Sequence, residues 1–211
     1  QITKIERDHF LSSSTRFLCS VVHKVELNLI IELLSVGFNL VFIILLIKEN
    51  IWCWPFGIVG SLLSVYLFIL VQLNAESLLY VFYVIMGAYG WWNWSKPIGE
   101  ELLISKWNIT PHLTLVIGGV ILGLALGWIF DNYTEAVYPF VDSQTTVFGI
   151  AATFLEARKK LYAWIYWIVL NGVSIILYAS RDLFIYSGLM VVFFALSVYG
   201  FRSWSVKFSK Q

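Results

Sequence analysis

The chain has 211 residues, 59% hydrophobic and 13% charged, with a net charge of +1. A soluble domain is nearer a quarter charged, and no soluble core hides this much apolar surface, so lipid is the solvent for most of the chain. The near-neutral charge excludes a nucleic-acid footprint, and Cys19 and Cys53 are too few and too scattered for a disulfide framework or a metal site.

Residues 1–26 open as QITKIERDHFLSSSTRFLCS, with charges throughout and no apolar h-region. This stretch is expected to be a tail or a surface helix rather than a signal peptide. Seven apolar runs follow, each near the roughly 20 residues that cross a bilayer. They are Leu27 to Ile47, Trp54 to Val71, Ser77 to Trp94, Leu113 to Phe130, Val141 to Leu155, Ala163 to Ala179 and Leu183 to Phe201. None alternates apolar and polar residues as barrel strands do. The expected fold is an all-α integral membrane protein of seven transmembrane helices.

Lys and Arg set the orientation. One side collects Lys4, Arg7, Arg16, Lys24 and Arg181; the other collects Lys48, Lys96, Lys106, Arg158, Lys159, Lys160, Arg202, Lys207 and Lys210. The second side is expected to be cytoplasmic, which leaves the N-terminus outside and the C-terminus inside.

Two stretches resemble each other internally. A shift of 112 pairs Trp52 with Trp164, Gly60 with Gly172 and Tyr66 with Tyr178; a shift of 110 pairs Leu79 with Leu189, Val81 with Val191, Tyr89 with Tyr199, Gly90 with Gly200 and Trp94 with Trp204. The pattern divides the chain into a first three-helix repeat at 27–94, a loop and linker helix at 95–130, a second repeat at 131–204 and a tail at 205–211. Both repeats start on the same side, so they are parallel, and the fourth span restores the direction. Its Gly118, Gly119, Gly123 and Gly127 suit close helix packing. Parallel repeats of this kind are a transporter plan, with substrate bound between them near the midplane.

No span carries HExxH, a Walker loop or GxSxG, so no enzyme, cofactor or metal centre is expected. Asn171 is the sharpest polar residue. An amide in hydrocarbon marks either an interhelical hydrogen bond or a binding site. Trp167, four residues earlier, shares its face, and an aromatic plate beside an amide suits a flat heteroaromatic ring with hydrogen-bonding groups. Tyr80 and Tyr83 share a face of the third span, and Tyr66 is a further candidate wall; each is equally explained by packing. Asp142 opens the fifth span as an N-cap or as a carboxylate at the outer mouth, with Thr146 on its face. Trp52, Trp54, Trp91, Trp92, Trp94, Trp164 and Trp204 gather at inner span ends, where an interfacial belt explains most of them. The Glu156, Arg158, Lys159, Lys160 cluster reads as the positive-inside signal.

Trp54-Pro55, YGWWNW at Tyr89 to Trp94, Asp142-Ser143, WIYWIVLN at Trp164 to Asn171 and YGFRSW at Tyr199 to Trp204 together resemble the PnuC family of vitamin transporters. The resemblance covers nearly everything from the first span to Trp204. It implies a three-plus-one-plus-three fold related to the SWEET sugar transporters, a homotrimer in the bacterial inner membrane, and uptake of nicotinamide riboside by facilitated diffusion with a cytoplasmic kinase trapping the product. It puts the Trp-x-x-x-Asn pair, here Trp167 and Asn171, at the substrate. Related nicotinamide riboside transporters often have Gln nine residues before the Tyr of YGW, where this chain has Tyr80. Thiamine, a cationic heterocycle, is therefore the alternative substrate, with Glu32, Glu76 or Asp142 to meet its charge. A membrane scaffold without a transported ligand and an intramembrane enzyme are the readings from other classes.

Overall fold

A computed structural model describes residues 4–70, 74–95, 97, 101–134, 138–180, 182 and 184–211, with side chains from Glu26 onward except at 74–76. Arg181, Lys96 and the side chains of Lys4, Arg7, Arg16, Lys24 and Glu76 therefore lie outside the described residues. Among those described, the chain forms seven helices and no strand: α1 Lys4–Ile47, α2 Cys53–Leu70, α3 Asn74–Trp94, α4 Ile109–Tyr133, α5 Pro139–Ala157, α6 Ala163–Ala179 and α7 Phe184–Phe208. The expected all-α membrane architecture is observed. Glu26–Ile47 of α1, together with α2, α4 and α7, is long and apolar enough to span a bilayer, and α6 is a shorter apolar helix. The less apolar α3 and α5 carry the polar and tyrosine residues of the interior.

Helix neighbours follow a closed circuit: α1 packs on α2, α2 on α3, α3 on α5, α5 on α6, α6 on α7, and α7 back on α1. The fourth helix stands outside this ring against α5. Its glycines make that contact, because Cβ atoms at Gly119, Gly123 and Gly127 would collide with Phe148, Gln144 and Phe140 of α5. Gly118 faces open space, so it takes no part in the small-residue contact expected of it. The remainder of α4, with Ile117, Ile121, Leu122 and Trp128, is exposed to the surroundings that the sequence assigns to lipid.

The core sits at one end of the ring, called basal here, where α1 and α5 end and α2 and α6 begin. Trp54 and Trp164 meet Trp94 and Trp204 edge-on, with centroids 5.4 Å apart in each pair, and Trp94 joins Trp204 at 6.3 Å. Each pair rests on a glycine: a Cβ would lie 2.4 Å from Trp54 at Gly90 and 2.5 Å from Trp164 at Gly200. The belt reading therefore fails for Trp54, Trp164 and Trp204, which are at most 1% exposed. Burying an indole removes more apolar surface from water than any other side chain can, and these four form the centre of the fold. Exposed Trp52, Trp91 and Trp92 remain at the surface. Trp164 packs on Trp204 as Trp54, 110 residues earlier, packs on Trp94.

The same offset recurs in the backbone. Glu49 N bonds Leu46 O, Asn50 N bonds Leu45 O and Cys53 N bonds Asn50 O; 110 residues on, Lys159 N bonds Glu156 O, Lys160 N bonds Leu155 O and Ala163 N bonds Lys160 O. Glu49 and Lys159 both take positive φ, 59° and 49°, the left-handed conformation that commonly ends a helix. Their side chains meet each other. Lys159 Nζ lies 3.0 Å from Glu49 Oε2, and Lys207 Nζ lies 2.9 Å from Oε1. Indoles also bond the ends of other helices: Trp94 Nε1 of α3 donates to Ala157 O of α5, and Trp204 Nε1 of α7 to Leu46 O of α1. Both carbonyls lie in the last turn of their helices; Leu46 O also accepts from Glu49 N, and Ala157 O from Asn93 Nδ2. Residues 101–108 pass under this end. Ser105 exchanges backbone hydrogen bonds with Lys159 and Leu161, and its hydroxyl accepts from Lys160 Nζ.

Two predictions follow from the basal core. Gly90→Ala and Gly200→Ala should each destabilise the protein by about 1–3 kcal/mol through overpacking, whereas Gly118→Ala, with open space at its Cβ, should be near neutral; thermal unfolding in detergent measures all three. Burial raises the Glu49 carboxyl, but the hydrogen bonds and charges of Lys207 and Lys159 outweigh it and hold the group below its ordinary value of 4.5. Its stabilisation is thus full above that value and is lost as pH falls through the lowered folded pKa. Glu49→Gln should cost about 1–2 kcal/mol near neutral pH, and the gap to wild type should close on acidification below pH 4.5.

Candidate functional site

The interior of the ring is where polar groups from non-adjacent helices meet. On α6 the spacing of Trp164, Trp167 and Asn171 keeps all three near one face. Trp164 is locked in the basal core, so Trp167 and Asn171 climb inward from it. Asn171 is 8% exposed, and its Nδ2 donates to Ser197 Oγ of α7 at 3.2 Å, while that hydroxyl donates to Phe193 O at 2.8 Å. The interhelical hydrogen bond is therefore real. It commits one edge of the amide and fixes its orientation. Trp167 Nε1 is buried without a hydrogen-bond partner and faces the Glu156 carboxyl of α5 without reaching hydrogen-bond geometry.

Across the ring, Tyr80 and Tyr83 of α3 pack edge-on at 5.5 Å. The Tyr83 hydroxyl reaches α5 at Gly149, where a Cβ would come within 2.9 Å of it. Tyr80 interacts with Ser64 of α2 and with Tyr178 of α6. Since α3 and α6 are not neighbours in the circuit, the Tyr80–Tyr178 interaction crosses the interior. Farther from the basal end, Ser64 Oγ bonds Ser35 Oγ at 2.7 Å, and Tyr186 OH donates to Glu32 Oε1 at 2.5 Å. Tyr186 in turn lies 5.9 Å from Tyr178. The result is a line of hydroxyl, carboxyl and amide groups running through the ring, in a bundle whose outer faces are apolar.

The structure brings Trp167, Asn171, Tyr80 and Tyr83 into this interior. Tyr66 is 47% exposed and lies on the side of α2 away from buried Ser61 and Ser64. Asp142 is not the N-cap of α5. Pro139 starts that helix a turn earlier with Tyr138 as N-cap, since its missing N–H is harmless at the first position. Asp142 N donates to Tyr138 O inside the first turn. Thr146 Oγ1 donates back to Asp142 O at 2.8 Å, so its hydroxyl is engaged within its own helix, and both residues sit at the end of α5 remote from Trp167. Glu32 is held by Tyr186.

Three residues of the site escape the sequence reading. Glu156 is 2% exposed yet stands beside a basic run, so it reads as loop charge. Ser197 and Ser64 look like small packing residues. The signal for Glu156 is its register: it lies seven residues after Gly149, hence on the same face of α5 as the glycine that receives Tyr83.

A separate groove of about 850 Å³ lies outside the ring between α4, α5 and α6, lined by Trp107, His112, Phe148, Tyr162, Tyr166 and Val169 among others. His112 Nδ1 and Tyr166 OH are 3.1 Å apart in its wall. Neither Trp167 nor Asn171 lines it.

The sequence model of the nicotinamide mononucleotide transporter family matches residues 29–206. The chain belongs to this family. It is 25% identical to the nicotinamide riboside transporter PnuC of Escherichia coli (strain K12), an alignment covering 74% of this chain and 77% of that one, and equally to its counterpart from Shigella flexneri. The crystal structure of the vitamin B3 transporter PnuC superposes with a TM-score of 0.70 at 20% identity, covering 90% of this chain and 87% of that one; it supports the fold. The PnuC-family resemblance is thus established, and the protein is a membrane transporter of the nicotinamide mononucleotide transporter family.

The Asn171–Ser197 contact gives a measurable term. A double-mutant cycle with Asn171→Ala and Ser197→Ala should show a coupling energy of about 0.6 kcal/mol, with ~2 as the ceiling, by unfolding in detergent; additive single effects would mean that the two side chains do not interact.

Proposed function

We propose that the protein takes up nicotinamide riboside across the bacterial inner membrane by facilitated diffusion, with a cytoplasmic kinase trapping the product. The observation that carries this reading is Trp167 with Asn171 one turn above it inside the ring. The indole offers a stacking face for the nicotinamide ring. The amide, held in place by Ser197, presents hydrogen-bonding groups suited to the ring's carboxamide. The curated relatives that this chain matches are named as nicotinamide riboside transporters, which supports the same substrate. No energy source is assigned to the transport step, so flux follows the substrate gradient.

The basal end, with Lys106, Arg158, Lys159, Lys160 and Lys207, is read as cytoplasmic from the positive-inside rule, which leaves the N-terminus outside. The offset of 110 shared by the indole pairs and the helix-ending turns supports two parallel three-helix units joined by α4. The apolar groove between α4, α5 and α6 supports a contact between copies, in keeping with a homotrimer. Thiamine is the second reading, favoured by one observation: Tyr80 stands where related nicotinamide riboside transporters often have glutamine.

Tryptophan fluorescence of the purified protein should show saturable quenching by nicotinamide riboside, and saturation by thiamine alone would transfer the assignment to the second reading. In proteoliposomes without kinase, labelled nicotinamide riboside should equilibrate and not concentrate, and dissipating the proton gradient should leave the initial rate unchanged. Asn171→Ala should abolish uptake while the protein still inserts; wild-type flux through that variant would remove the site from Asn171.

A further inference from the structure

The mechanism above leaves Glu156 without a role, although it is a carboxyl in one of the most enclosed places in the molecule, 2% exposed. Every basic neighbour in sequence is engaged elsewhere. Arg158 donates to Tyr89 OH and covers the Phe154 ring. Lys159 pairs with Glu49 and lies over Trp94. Lys160 donates to Ser105 Oγ. Among the described residues no cation pairs with Glu156.

The groups that face it come from across the ring: the Trp167 indole of α6, with Tyr83 of α3 and the Cys53 thiol of α2 within electrostatic range. None of these can cancel a negative charge. The Trp167 indole N–H beside it is itself buried and unpartnered. An indole N–H and a carboxyl that no cation joins thus face each other at the basal floor of the interior, one turn below Asn171. A carboxylate in such a setting is strongly destabilised unless a cation joins it, and a cation is also attracted to an indole face.

We propose that Glu156 is the counter-charge of the binding site, selecting a permanently cationic heteroaromatic ring held against Trp167. The inference rests on the function proposed above, because nicotinamide riboside is such a cation, its charge lying on the pyridinium nitrogen that bears the ribose. The assignment replaces Glu32, Glu76 and Asp142 as the acid that meets a charged ring. It also divides the labour of recognition. Thiamine is cationic as well, so Glu156 accepts either vitamin, and discrimination between them falls to Asn171 and Tyr80.

The test compares nicotinamide riboside with its neutral 1,4-dihydro form, which keeps the outline and loses the charge. Both are titrated by fluorescence against the wild type, Glu156→Gln and Glu156→Asp, with thiamine as a second cationic probe and melting temperature as the control for folding. Wild type should bind the cation at least about tenfold more tightly than the neutral form. Glu156→Gln should weaken cation binding by at least about tenfold and leave the neutral form within about threefold, and Glu156→Asp should restore part of the preference. Equal affinity of wild type and a folded Glu156→Gln for the cation overturns the proposal, as does an equal loss for both forms. Should Glu156→Gln not fold, the wild type decides alone: no preference for the charged form overturns it. If wild type binds thiamine and not nicotinamide riboside, and Glu156→Gln loses thiamine, the substrate reading fails while Glu156 keeps its role. No binding of either cation overturns both.

Discussion

The rest of the structure depends on four indoles packed at one end of a helical ring. Within lipid, apolar burial does little to hold helices together, since acyl chains are as apolar as leucine side chains. Close fit and hydrogen bonds must do it instead. Trp54 with Gly90 and Trp164 with Gly200 supply the fit. Trp94 and Trp204 supply the bonds, each donating an indole N–H to a carbonyl in the last turn of another helix. Because Trp94 of α3 serves α5 and Trp204 of α7 serves α1, the first three helices and the last three are joined by the same side chains that form the core. The ring can then leave its interior polar, since its integrity does not rest on what fills the middle.

That freedom is used. Ser35, Ser64, Tyr80, Tyr83, Tyr178 and Asn171 place polar groups inside the bundle, and each polar group buried without a partner is destabilising. Most are bonded to one another or to backbone. The Trp167 indole N–H is not, and it faces the Glu156 carboxyl at the basal floor. A site placed there lies between the indole core on one side and the packed rings of Tyr80 and Tyr83 on the other.

Much of this was legible in the sequence, for physical reasons. Apolar run length gave the helices nearly to the residue at Trp94, Ala163 and Ala179, because a bilayer demands a fixed number of residues per crossing. The Trp167–Asn171 spacing placed both residues on one face because the helical period is fixed. Packing was harder to read. A tryptophan near a span end looks the same whether it floats at the headgroups, as Trp92 does, or is sealed in the core, as Trp164 is; the difference lies in a glycine 36 residues downstream. An apolar helix gives no contrast by which to tell its faces, so the exposed position of Tyr66 on α2 is not visible in the sequence. Glu156 hid because charge next to charge looks like a loop, and only the hydrogen bonds of the Lys159 turn show that the helix reaches Ala157.

The Glu49–Lys159 pair holds a last consequence. The two residues occupy matching places in their turns, share the same unusual backbone conformation, and touch each other. A contact between matching places is the one contact that two identical halves cannot make with opposite charges: two glutamates or two lysines would face each other at 3.0 Å. A pair of identical half-length chains would therefore repel at this point. Within one polypeptide the two turns are free to carry opposite signs, as Glu49 and Lys159 do, so the attraction is open only to a chain in which the two turns differ.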